Sequence, residues 1–183
     1  MKHTGTRQIE TERLILRRYA PDDAKAIFDN WASDDEVTRF LMWPTHRCVQ
    51  TSERVLNDWL GHYAEENYYH WAIVPKELGV PVGDIAVVRQ DELTLSAHIG
   101  YCIGRKWWRK GITSEALAAV IEYLFAAGFR RIDSRHDPRN PHSGGVMRKC
   151  GMTYEGTLRR SDWNNQGICD TAWYAILAGE KPE

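Results

Sequence analysis

The 183-residue chain is expected to form an α/β domain, with a mixed, mostly antiparallel sheet and helices on both faces. Three observations predict it. Strand-like alternation and helical periodicity follow one another in the order β-α-α-β-β-β-α-β-α-β-β. Short Pro/Gly turns join the middle strands into a meander. The stretch from His98 to Leu117 then reads as strand, basic turn and helix, which adds a different connection to that meander.

Residues 11–18 give the first strand, with Leu14 and Leu16 on one face. A helix over 21–31 follows, carrying Pro21 and two acids in its first turn and Ile27 and Trp31 as an i, i+4 pair. Residues 34–47 are irregular, because Met42-Trp43-Pro44 breaks any helix. A second helix over 50–66 places Val55, Leu56, Trp59 and Tyr63 at helical spacing, for core packing or for a homodimer surface. Strands are expected over 68–74, 80–89 and 95–103, then a helix over 113–127 that ends at Gly128. A strand over 131–136 leads to Asn140-Pro141, an N-cap followed by proline at the first helical position. Strands over 157–162 and 168–177 flank a turn at 163–167, and with no repeats or linkers the whole of 1–183 is expected to be one domain.

Composition narrows the function classes. A net charge of −1 argues against a broad polyanion-binding surface, so no nucleic-acid partner is expected. The four cysteines, Cys48, Cys102, Cys150 and Cys169, lack Cys-x-x-Cys spacing and read as reduced thiols. No His-Glu-x-x-His occurs, and no catalytic metal is expected. Neither a signal-like apolar region nor an uncharged run of ~18 residues is present, so the expectation is a cytoplasmic protein without a membrane partner.

The turn at 105–111, leading into the helix, reads as an anion site. A helix start leaves four N–H groups without internal partners and carries partial positive charge. Arg105, Lys106, Arg109 and Lys110 add cationic side chains there, which suits several phosphates better than one carboxylate. Neither Gly-x-x-x-x-Gly-Lys-Ser/Thr nor Gly-x-Gly-x-x-Gly is present, so the phosphates belong to something other than the usual nucleotide loops.

The run Ile99-Gly100-Tyr101-Cys102-Ile103-Gly104, followed by Trp107-Trp108-Arg109-Lys110-Gly111-Ile112-Thr113-Ser114-Glu115-Ala116-Leu117, resembles the pyrophosphate-binding signature of the GNAT acetyl-CoA-dependent N-acetyltransferases. It is most similar to the branch holding the ribosomal-protein-alanine N-acetyltransferases. There the turn usually reads Trp-Gly-Lys-Gly-Tyr-Ala-Thr-Glu-Ala, and Thr113 replaces a usual Gly or Ala. The opening Thr11-Glu12-Arg13-Leu14 and the later Asn140-x-x-Ser143 with Lys149 also resemble family motifs, so the likeness spans about residues 11–177.

That resemblance implies a GNAT fold in which strand 99–103 splays from strand 132–135, with acetyl-CoA as cosubstrate in the gap. Backbone of Tyr101, Cys102 and Ile103 would pair with the pantetheine arm. Arg109, Lys110, Gly111, Ile112, Thr113 and Ser114 would bind pyrophosphate, Asn140 the arm's amides, and Lys149 a phosphate. Ser143 would lie near the thioester sulfur as its proton donor. The second helix would border the acceptor groove, and the acceptor would be a primary amine, on a protein N-terminus or on a small molecule such as an amino acid, polyamine or antibiotic. A non-catalytic acyl-CoA sensor is the rival from another class.

A neutral amine must attack the thioester, so a base is needed. Relatives carry Glu before Ile-Gly-Tyr, where this chain has His98, and an acid on the penultimate strand, where it has Asp162. Asp162 acting through water is the favoured assignment and His98 the second. A route through Cys102 activated by His98 is excluded, because four residues of strand span ~13 Å; Cys102 reads as filling space.

Overall fold

The computed structural model describes residues 2–180. Its sheet has eight strands in the order β1-β2-β3-β4-β5-β6-β8-β7. These are β1 (Ile9–Glu10), β2 (Leu14–Arg17), β3 (His70–Pro75), β4 (Gly83–Asp91), β5 (Ser96–Ile103), β6 (Arg131–His136), β7 (Thr153–Asn164) and β8 (Gly167–Leu177). Every neighbouring pair is antiparallel except β5 and β6. The helices are α1 (Ala24–Ile27), α2 (Asp35–Thr38), α3 (Val49–His62), α4 (Ile112–Ala127) and α5 (Pro141–Lys149).

Both sheet faces are covered, and β3 shows why. All six of its residues are buried, yet Trp71 and Ile73 join the core under α4 while Ala72 and Val74 join the core under α1 and α3. Side chains of successive strand residues point to opposite faces, so a continuous apolar run marks a strand buried on both sides. The aromatics at the end of α3 belong to the second core: Trp59 packs against it, and Tyr63, just past the helix, is buried and its hydroxyl donates to the His70 carbonyl at 2.9 Å.

Three expectations needed correction. The helix expected over 21–31 is broken into a 3-10 turn at Pro21–Asp23, α1, and a π turn at Phe28–Ala32. The Ser33 N–H and hydroxyl both bond the Phe28 carbonyl, which widens that turn. The π turn presses the Asn30 carbonyl against Gly104, where a Cβ would lie 2.2 Å from it; any larger residue there would push the helix layer off the end of β5. Residues 34–47 hold the short helix α2, whose first turn is capped by the Asp34 side chain. The last hairpin is longer than expected, and its turn is confined to Asn165 and Gln166. Among the described residues no helix is long and apolar enough to cross a membrane.

Candidate active site

β5 and β6 pair for only three rungs, Ser96–Arg131, Ala97–Ile132 and His98–Asp133. Beyond His98 they part. The Ser134 hydroxyl donates to the Ile99 carbonyl at 2.7 Å, and the Trp108 indole N–H to the Ile103 carbonyl at 2.9 Å. Between them the β6-facing edge of β5 has no ladder partner among the described residues, which leaves its backbone groups for another partner.

The parted strands open a cavity of about 710 Å³. Into it come the β5 end, the start of α4, α5, the β7–β8 hairpin and residues 37–43. His98, Tyr101, Cys102, Ile103, Arg109, Gly111, Ile112, Thr113, Ser114, Asn140, Ser143, Lys149 and Asp162 all line it. Lys110 does not; it is exposed, and its carbonyl accepts from Arg13 Nη1 at 3.0 Å.

At the anion turn, Gly111 has φ +76° and α4 starts with no side-chain cap, so its first N–H groups are free for a ligand. Arg109 also has positive φ, +60°, and its guanidinium lies 3.1 Å from His142 Nε2. Arg105 is not available to phosphate, because it pairs with Asp34 at 2.9 Å. The turn is tied down by residues that the sequence showed only as a motif. Glu115 accepts from the Thr11 hydroxyl at 2.5 Å, from the Arg13 N–H at 2.9 Å and from the Arg13 side chain at 2.6 Å. Burial pulls the Glu115 carboxyl up, but those donors outweigh it and hold the group ionised below its ordinary range.

α5 forms the opposite wall. Asn140 precedes it without a capping bond, and its side-chain amide has no partner among the described residues. The two glycines have different reasons. A Cβ at Gly144 would stand 2.5 Å from His136 Nε2, so this glycine lets α5 lie against the half-buried imidazole. Gly145 has only the Arg148 side chain within 4 Å and faces the cavity. The Tyr101 hydroxyl bonds Ser143 at both its carbonyl, 2.9 Å, and its Oγ, 3.0 Å. Burial raises the Tyr101 phenol above its ordinary value, so it remains a donor.

On the other face of β5, buried His98 bonds Asp133 through Nδ1, and Arg131 adds an ion pair to that carboxylate at 3.4 Å. Burial opposes it, but bonding to His98 keeps Asp133 below the ordinary carboxylate range. Asp162 is paired to Arg135 at 2.6 Å. Cys102 is more than a filler: its thiol donates to Asp84 Oδ1 at 2.7 Å. Burial first, and then the Asp84 charge, push that thiol well above its ordinary value, which removes it as a nucleophile.

The cavity thus joins a helix start without a side-chain cap, a strand edge without a ladder partner among the described residues, and hydroxyl and imidazole groups beyond them. Comparison with known proteins gives the family and the fold. An N-acetyltransferase of Bacillus subtilis (strain 168) is 32% identical over 92% of this chain and 96% of its own length. The [ribosomal protein uS5]-alanine N-acetyltransferase of Escherichia coli (strain K12) is 37% identical over 81% of this chain and 79% of its own. The microcin C7 self-immunity acetyltransferase, solved with acetyl-CoA and AMP, shares the fold with a TM-score of 0.81 at 19% identity, covering 91% of this chain and 93% of its own. With the acetyltransferase (GNAT) domain profile matching residues 13–153, the chain belongs to the GNAT acetyltransferases.

Proposed function

We propose that this N-acetyltransferase holds acetyl-CoA along β5 and passes the acetyl group directly to an amine that enters between residues 37–43 and the β7–β8 hairpin. The observation that carries this reading is the parting of β5 and β6 beyond His98, in line with the uncapped start of α4. Backbone N–H groups of residues 111–114, with Arg109, would hold the pyrophosphate. The free edge of Tyr101 to Ile103 and the unpartnered Asn140 amide would hold the arm, and Lys149 would meet a phosphate at the rim. Bound acetyl-CoA supplies the acyl carbon that is attacked and the sulfur that leaves.

His98 takes the proton from the incoming ammonium. Its Nδ1 is committed to Asp133, which fixes the ring and leaves Nε2 for the cavity that His98 lines. Asp162 is a weaker choice, because Arg135 satisfies its charge. The neutral amine then forms the C–N bond as the C–S bond breaks. Ser143, oriented by Tyr101, gives the leaving sulfur its proton, and the proton lost by the new amide returns to the Ser143 side through water.

A protein N-terminus is the acceptor named for the Escherichia coli relative; a small amine is the alternative for this chain. Calorimetry with acetyl-CoA, followed by mass spectrometry of a panel of N-terminal peptides and small amines, tests the reading. Absence of both binding and transfer would remove it.

A further inference from the structure

Three carboxylates line the cavity, and two of them have cationic partners. Asp137 is held by Arg139 at 2.6 Å and Asp162 by Arg135 at 2.6 Å. Asp84 has no Arg or Lys partner among the described residues. Its oxygens accept instead from the Cys102 thiol at 2.7 Å and from His70 Nε2 at 2.9 Å.

Both of those partners are donors, and neither is a fixed cation. The thiol is kept protonated by its burial. The buried His70 ring sits edge-on to Tyr19 and Trp59, with Tyr68 3.0 Å from Nδ1. An imidazole donating at Nε2 and bonded to the Tyr68 hydroxyl at Nδ1 satisfies both bonds. Two donors therefore aim the Asp84 carboxylate, and no Arg or Lys among the described residues pairs with it. A carboxylate aimed this way at the wall of a cavity is placed to receive a cation from a ligand.

That cation is not the reacting nitrogen. An amine must lose its proton to attack, and a fixed carboxylate beside it would hold it as ammonium. Asp84 also stands apart from the base. It pairs with Cys102 on β5, whereas His98 lies four residues back along the same strand and on the same face. That offset is ~13 Å of strand. The floor between them is Ala86 paired with Gly100, and Val88 lies over Gly100, where a Cβ would come within 3.1 Å of its Cγ1. A carboxylate, an apolar floor and a base in line match a cation, a methylene chain and an amine.

We propose that Asp84 anchors a second positive charge on the acceptor, so that the acceptor class is a straight-chain diamine or short polyamine, acetylated at the end that reaches His98. The inference rests on the N-acetyltransferase reading of the cavity.

The test is a rate comparison using thiol release from acetyl-CoA, with butanediamine and hexanediamine set against butylamine and hexylamine. The wild-type kcat/KM should favour a diamine over its matched monoamine by about ten- to a hundredfold, as a charged hydrogen bond would give. Asp84→Asn should bring that ratio close to unity through the KM for the diamine, with acetyl-CoA affinity by calorimetry unchanged. Equal wild-type rates for mono- and diamines, a preference that survives Asp84→Asn, or turnover of peptide N-termini alone would each overturn the proposal. Should the variant fail to fold, the wild-type comparison still decides. A protein that binds acetyl-CoA but ignores both amine series refutes this inference and leaves the acetyltransferase reading standing. Loss of acetyl-CoA binding in the wild type would refute that reading itself.

Discussion

His98 and Asp133 form the last rung that β5 and β6 share, and their side chains are hydrogen bonded where the strands part. The pair therefore stands at the inner end of the groove, where the acyl group of a ligand lying along β5 would come to rest. His98→Gln keeps a polar side chain but cannot take a proton. It should lower kcat/KM at neutral pH by roughly a hundred- to ten-thousandfold, with partial recovery as rising pH supplies free amine. Asp162→Asn should act mainly on acceptor KM, because it removes the partner of Arg135. Profiles from about pH 6 to 9 separate the two; the opposite ranking would return the base to Asp162.

Gly111 tests the phosphate end. Its φ of +76° lies in the left-handed region, which Asp tolerates better than most side chains, and a Cβ there meets only the Arg13 side chain at 3.4 Å. Gly111→Asp should cost about 1 kcal/mol of stability. It should weaken acetyl-CoA binding by about 2–4 kcal/mol, because a carboxylate would face the phosphates. Calorimetry on the folded variant reads this directly, and an unchanged Kd would detach the turn from the cofactor.

Local patterns in the sequence were enough for β6, whose observed bounds match those expected, and for α4 with its Gly128 end at φ +107°. Most of the residues read as cofactor-binding do face one cavity. What could not be read was pairing at long range. Thr11 and Arg13 looked structural, and only the fold shows that they grip Glu115 and so set the angle at which α4 presents its N-terminus. Asp84, His70 and Asp133 carry no motif; each gains its meaning from a partner on another strand. The cationic turn misled in the other direction, since Arg105 is spent on Asp34. A run of basic residues fixes local charge but not which member faces the ligand.

Ser143 and Tyr101 separate donor from support. Ser143→Ala should lower kcat while leaving the KM for acetyl-CoA nearly unchanged, as expected for a bond made chiefly in the transition state. Tyr101→Phe removes the hydroxyl that meets both Ser143 oxygens and should reproduce part of that loss. If only Tyr101→Phe lowers kcat, the tyrosine is the donor and Ser143 its support.

Asp137 links the base of the cavity to the hairpin. It accepts from the Asn164 amide at 2.9 Å and from Arg139 at 2.6 Å. Burial alone would raise its carboxyl, but the Arg139 and Asn164 donors prevail and hold it at about 2. A free aspartate titrates near ~3.9, so the folded value is depressed. The stabilising contribution is therefore complete above the unfolded value and disappears as pH falls through the folded one. Asp137→Asn should destabilise the protein by roughly 1–3 kcal/mol at neutral pH. The gap to wild type should narrow below about pH 4 and close near the folded value of about 2. Urea unfolding of both proteins across that range measures it. A gap that stays constant with pH would mean that the carboxylate's charge contributes nothing and that its packing alone holds the hairpin.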